Sequence, residues 1–222
     1  MRTLRLIGRG LSDTLEHLLP FTLLTLAWWL AVLTVVAAPG ATVALFAMTD
    51  PRLAVSRPEW REAVAATRAN LRRGWALALF AAVPLALLLS NLVAYGGADS
   101  RWQILVPLWI YLLVFGVVAV LYAVAVVALT GSGSRAAARA ALSLLALAPL
   151  RAAVVALVVG VIVLVGAALV VPLVMFVPAL VAALVNRVVL AGLGIVVADP
   201  LAPTDERAAE EQRAAGTSRF GP

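Results

Sequence analysis

The fold class of this chain follows from residues 152–197, which read AAVVALVVGVIVLVGAALVVPLVMFVPALVAALVNRVVLAGLGIVV. It carries a single charged side chain, Arg187, and it is too long for one membrane helix, which needs ~20 apolar residues to cross a bilayer. Pro172 and Pro178 flank the only plausible turn within it. We therefore expect two membrane spans here, near residues 152–171 and 174–197.

Three other apolar blocks lie upstream, and their lengths also suit a bilayer. In lipid the backbone polar groups must be satisfied within each segment, so the blocks must be helices. Pro39-Gly40 breaks the first block, and the short apolar run that follows predicts a return helix. The sequence thus predicts an all-α, polytopic helical membrane bundle with about five full spans plus a short return helix after Pro39-Gly40. The three upstream blocks run from Leu18 to Ala38, from Trp75 to Tyr95 and from Ile104 to Leu129.

Composition leads to the same class of protein and excludes others. Of the 222 residues, 64% are hydrophobic and 13% are charged, whereas soluble domains have about a quarter charged residues. The net charge of +6 comes from arginines between the apolar blocks, so it indicates topology and lipid contact, and we expect no nucleic-acid partner. There is no cysteine and one histidine, His17, and no acid–base or phosphate-binding constellation occurs. We expect no enzyme activity, no metal site and no cofactor.

The placement of the arginines predicts which loops are cytoplasmic. The loop 50–73 carries six and the loop 130–151 carries three, whereas the turn 96–102 carries one. By the positive-inside rule these two loops and the C-terminus face the cytoplasm, in a multi-pass protein of the cell inner (plasma) membrane. Residues 1–198 form the transmembrane domain, and residues 199–222 are a charged, disordered cytoplasmic tail. The N-terminus is either cytoplasmic, with Pro39-Gly40 as a hairpin tip, or external.

The segment from Ser56 to Arg73 is predicted to be an amphipathic helix. At ~100° per residue its apolar positions form one stripe and four arginines form a neighbouring stripe. Such a helix either anchors the fold at the lipid headgroups or docks a partner. The candidate contact residues are Arg57, Trp60, Arg61, Arg68 and Arg72.

Polar side chains inside the predicted spans are the other candidates. A charge there is costly, so Arg187 either snorkels to the headgroups, pairs with a carboxylate, or binds a substrate anion. Asn91 and Asn186 are suited to interhelical hydrogen bonds or, with Arg187, to a polar path. The candidate partners of Arg187 are Asp13, Glu16 and Asp50.

Three runs carry a resemblance to a known family: Trp28-Trp29, residues 39–46 (PGATVALF) and residues 68–75 (RANLRRGW). Together they resemble the YesL-like family of bacterial membrane proteins, in a Gly-Pro-Ala-Thr-like turn after the first helix and an aromatic-basic-Asn segment before the next span. The resemblance implies no catalytic residues. It implies an accessory role associated with carbohydrate uptake systems.

Two functions are therefore expected from the sequence. The first is a non-enzymatic integral membrane accessory protein whose partners are the lipid bilayer and a membrane protein or a second copy of the chain. The alternative is a small-solute transporter with a polar path near Arg187.

Overall fold

The computed structural model describes residues 18–53, 60–96, 103–195 and 197. Throughout this part of the chain the regular structure is helical, without a strand, which confirms the all-α prediction. Arg57, the tail 199–222, Asp13 and Glu16 lie outside the described residues. The helices are α1 (Leu18–Leu33), α2 (Ala38–Met48), α3 (Trp60–Tyr95), α4 (Val106–Thr130), α5 (Ser134–Leu147), α6 (Pro149–Leu169), α7 (Val171–Met175) and α8 (Val177–Gly192), with a short 3-10 turn, Gln103–Leu105, before α4.

Three described helices are long and apolar enough to cross a membrane, so the prediction of about five full spans is wrong. They are α3, α4 together with its 3-10 turn, and α6. The described parts of α1 and α8 have 16 residues each. At ~1.5 Å per residue they reach about 24 Å, short of the ~30 Å hydrocarbon core. The apolar blocks are long enough, but the backbone breaks inside them.

The first apolar block breaks before Pro39, not at it. Helix α1 ends at Leu33, and Val35 takes a left-handed conformation with φ of 56°. The Thr34 hydroxyl donates to the carbonyl oxygen of Ala31 at 2.6 Å and accepts from the backbone N–H of Ala37 at 3.4 Å. Pro39 then lies in the first turn of α2, where its missing N–H costs no hydrogen bond. A short helix therefore does follow the break, but its turn is at residues 34–37, and the helix includes Pro39-Gly40 instead of beginning after them.

A second break shortens the last predicted span. Val170 has φ of 56° and ends α6, and the short helix α7 fills the predicted turn. Pro172 and Pro178 each lie in the first turn of a helix, α7 and α8. The turn between the prolines is therefore present, but α8 begins only at Val177.

Helix α3 unites two segments that were predicted separately. The basic amphipathic stretch and the span after it form one continuous helix of 36 residues, with Pro84 inside it. At ~1.5 Å per residue the helix is about 54 Å long. The basic stretch is therefore continuous with an apolar helix that is long enough to cross a membrane.

The core is centred on two short helices. Thirteen of the sixteen residues of α8 are buried, since α1, α2, α4, α6 and α7 all pack against it. Helix α2 packs against α1, α3, α4 and α8. An apolar helix buried on every side is typical of the centre of a bundle. Helices α3 and α6 expose large apolar side chains, an arrangement typical of a surface that faces lipid. These side chains include Leu79, Phe80, Val83, Leu157 and Leu164.

Candidate functional site: an arginine face, a lateral groove and a buried polar contact

The crossing of α2 and α3 is the closest helix contact around the candidate site. A β-carbon at Gly40 would lie 2.8 Å from the carbonyl oxygen of Thr67, and one at Gly74 would collide with the carbonyl of Pro39. The Trp75 indole Nε1 also donates to the carbonyl oxygen of Val36 at 2.9 Å. Small residues let membrane helices approach closely, and both glycines do so here.

This crossing gathers the three runs on which the family resemblance rests. Residues 39–40 pack on residues 67–74, and the Trp28 Nε1 donates to the Thr42 hydroxyl at 3.0 Å. The runs are distant in sequence but adjacent in the fold. The turn 34–37 also lies beside Trp75, where the apolar part of α3 begins. A cytoplasmic N-terminus with Pro39-Gly40 as the hairpin tip would instead place this turn at the other end of the apolar part of α3, near Tyr95.

The predicted arginine stripe is present on the described part of α3. Arg61, Arg68 and Arg72 are exposed, and at ~100° per residue they fall within about 40° of one another. Trp60 is the first residue of α3, and Arg57 lies outside the described residues. The stripe borders the side of α3 that packs on α2.

A lateral groove of about 300 Å³ opens beside this arginine face. Its walls come from α1, α2 and the first two turns of α3. The lining is mostly alanine and leucine, with Trp28, Thr34 and Thr67 among the polar residues and Arg68 at one edge. The Thr67 hydroxyl donates to the carbonyl oxygen of Ala63 at 2.8 Å, so it is engaged within its own helix.

Asn186 forms a buried polar contact between α8 and the end of α2. Its side chain is fully buried, and its Nδ2 donates to the carbonyl oxygen of Phe46 at 2.7 Å and to the Thr49 hydroxyl at 3.2 Å. The Thr49 hydroxyl donates to the carbonyl oxygen of Leu45 at 2.9 Å. Asn186 thus connects α8 to the C-terminal end of α2. Its Oδ1 is buried and has no hydrogen-bond partner among the described residues.

Arg187 is enclosed by the bundle. The residue is 6% exposed, whereas snorkelling would leave its guanidinium exposed to headgroups or water. Asp50, one of its three candidate partners, is bound by Arg52 in an ion pair of 2.6 Å. The other two, Asp13 and Glu16, lie outside the described residues.

Arg52 joins the loop after α2 to the end of α4. Its guanidinium donates to both carboxylate oxygens of Asp50 and, through Nη2, to the carbonyl oxygen of Leu129 at 2.8 Å. The hydrogen bond with Asp50 raises the pKa of Arg52 above its ordinary value. A cation on the last carbonyls of a helix is favourable, so Arg52 stabilises the C-terminus of α4.

The three residues of the predicted polar path lie on two helices, Asn91 on α3 and both Asn186 and Arg187 on α8. Asn91 is half-buried near the C-terminal end of α3, whereas α8 packs against α1, α2, α4, α6 and α7. The groove is lined by none of Asn91, Asn186 and Arg187. Within the described ranges, no group of three or more histidine, cysteine or acidic side chains could hold a metal ion.

Sequence reasoning missed the groove, the Arg52 contact and the glycine crossing. Gly74 carried a signal, because a glycine inside a helical pattern often marks a close backbone approach. The alanines of the groove carried none, since alanine is common in any helix.

Comparison of the whole chain with protein-family models, with curated proteins and with solved structures finds no match, so the resemblance to the YesL-like family remains a prediction.

Proposed function

We propose that this chain is a non-enzymatic integral membrane accessory protein, multi-pass in the cell inner (plasma) membrane, that contacts another membrane protein or a second copy of itself. The observation that carries the proposal is the arginine face of α3. Arg61, Arg68 and Arg72 are exposed on a rigid helix that continues directly into a membrane span. The link to carbohydrate uptake comes from the family resemblance alone.

The length of α3 supports an extension beyond the bilayer. A helix of about 54 Å exceeds the ~30 Å hydrocarbon core by about 24 Å, or four turns. The first four turns carry four arginines and one acidic residue, Glu62. A basic, water-facing extension of this kind suits acidic loops or anionic lipid at the cytoplasmic surface.

The core favours a structural role for its polar groups. The Asn186 amide donates to two partners on α2 and the following residue, which is how interhelical contacts are fixed in membranes. The alternative, a small-solute transporter, has one observation in its favour. The Oδ1 of Asn186 is buried without a donor among the described residues, beside the buried Arg187.

The test uses the full chain, tagged and extracted from its native membranes in mild detergent. We expect an integral membrane protein, or a second copy of the chain, to co-purify in a fixed ratio. The double variant Arg61→Gln/Arg72→Gln should lower its recovery about tenfold, since two exposed ion pairs contribute up to ~1 kcal/mol each. The matched control is Arg135→Gln/Arg139→Gln, which removes two exposed charges from α5 and should leave recovery unchanged.

Two outcomes would overturn the proposal. One is a chain that purifies alone from native membranes, with the wild type and both variants behaving identically. The other is uptake of a solute by vesicles containing only this chain, abolished by Arg187→Ala in a variant that still folds. The second outcome would establish the transporter instead.

A further inference from the structure

The groove between α1, α2 and α3 is an apolar slot whose polar groups are already engaged. The Thr34 hydroxyl donates to the carbonyl oxygen of Ala31 in α1 at 2.6 Å, and the Thr67 hydroxyl donates to that of Ala63 in α3 at 2.8 Å. The Trp28 indole donates to the Thr42 hydroxyl at 3.0 Å. Away from Arg68, an occupant of the slot therefore finds hydrocarbon and no unused hydroxyl or indole donor, which selects an alkyl chain over a sugar or another polar solute.

The width of the slot comes from small side chains. Alanines from all three helices line it at positions where larger residues would close the space. The volume of about 300 Å³ lies at the lower end of the ~300–1,000 Å³ typical of small-ligand sites. Leu30, which also lines the slot, is 57% exposed, so the slot opens to the surface of the bundle. The alanines are Ala27, Ala31, Ala37, Ala41, Ala44 and Ala63.

Charge is present at one edge of the slot only. Arg68 lines that edge with an exposed side chain, and no ion pair to it occurs among the described residues. Arg61 and Arg72 lie on the same face of α3, so the local potential is positive. The edge lies close to the boundary between the charged and apolar parts of α3, where lipid headgroups meet their chains.

We propose that this groove binds an anionic phospholipid, with one acyl chain between α1, α2 and α3 and the phosphate at Arg68. An apolar slot with a cation at its edge has the same arrangement of chemistry as such a lipid. A zwitterionic lipid with the same chains would present an equal hydrocarbon portion but no net charge to Arg68. The lipid site shares Arg68 with the arginine face on which the proposed function rests. The partner contact is tested through Arg61 and Arg72 and the lipid site through Arg68 and Ala31, so the two proposals can fail separately.

The experiment measures lipid retained by the purified full chain, by native mass spectrometry in mild detergent. Phosphatidylglycerol and phosphatidylcholine with identical chains are offered in equal amounts. We expect one phosphatidylglycerol to be retained in preference. Arg68→Gln should weaken its retention about fivefold, the effect of one basic residue at an anionic surface, whereas Arg135→Gln on α5 should not.

A second pair of variants tests the slot itself. Ala31→Phe fills the groove and should remove the bound lipid, whereas Ala86→Phe makes the same change on an exposed position of α3 and should retain it. Arg68→Gln decides the outcome if Ala31→Phe fails to fold. Equal retention of both lipids by the wild type, or equal losses in Arg68→Gln and Arg135→Gln, would refute the proposal. Retention of a free fatty acid alone, or displacement of the lipid by inorganic phosphate alone, would also refute it.

Discussion

At the scale of single residues, Asn186 shows what a polar side chain does in this bundle. Replacing it with leucine keeps its approximate volume but removes both donated hydrogen bonds, to Phe46 and to Thr49. Hydrogen bonds between membrane helices contribute ~0.6 to 2 kcal/mol each by measured cycles and model peptides. We expect Asn186→Leu to lower the free energy of unfolding in mixed micelles by at least about 1.2 kcal/mol, the sum of two such bonds at the lower value.

The control for this prediction is Asn91→Leu, at a half-buried position of α3. It should change the free energy of unfolding by less than ~0.5 kcal/mol. A double-mutant cycle of Asn186→Leu with Thr49→Val should give a coupling of about 0.6 kcal/mol. If the two substitutions are additive, the Asn186–Thr49 contact does not stabilise the fold.

At the scale of helices, the crossing of α2 and α3 depends on glycine. Gly74→Ala would gain up to ~1 kcal/mol of helix propensity, but its methyl group would collide with the Pro39 carbonyl. Overpacking of a close contact costs ~1 to 3 kcal/mol, so the collision outweighs the gain. We expect Gly74→Ala to destabilise the protein, as measured by thermal unfolding in detergent.

Gly160 in α6 is the matched position for that prediction. Nothing lies within 4 Å of a β-carbon placed there, so Gly160→Ala meets open space. This substitution should stabilise the protein by up to ~1 kcal/mol through helix propensity. Equal effects of Gly74→Ala and Gly160→Ala would mean that the α2–α3 contact is looser than described.

At the scale of the whole molecule, the arrangement of α3, α4 and α5 predicts which segments share a side of the membrane. The Ser134 hydroxyl donates to the carbonyl oxygen of Arg73 at 3.3 Å, so the basic end of α3 lies beside the start of α5. Gln103 begins the 3-10 turn at the other end of α4, whose 25 residues separate that turn from Gly131. The native chain has no cysteine, so single-cysteine variants report unambiguously.

We expect Arg61→Cys and Gly133→Cys to react with a membrane-impermeant maleimide from the cytoplasmic side only, since both positions are exposed. Gln103→Cys should react from the opposite side only. The measurement compares labelling in intact spheroplasts with labelling in inside-out vesicles. Labelling of Gly133→Cys and Gln103→Cys from the same side would contradict α4 as a membrane span.

Hydropathy and periodicity were enough to predict an all-helical protein with helices long and apolar enough to cross a membrane. Hydropathy is a sum over neighbouring residues, so the long apolar blocks of α3, α4 and α6 could be recognised without knowing what they pack against. The arginine stripe was also predictable, because helical periodicity alone places Arg61, Arg68 and Arg72 on one face.

Where the apolar blocks break, and which polar residues meet, became visible only in the folded structure. Val35 and Val170 both adopt a positive φ, which a β-branched residue does not favour, so their sequence does not mark them as break points. Asn186 contacts residues about 140 positions away, and the groove takes its walls from three helices. Contacts between residues so far apart depend on how the helices pack, and local sequence patterns do not encode that packing.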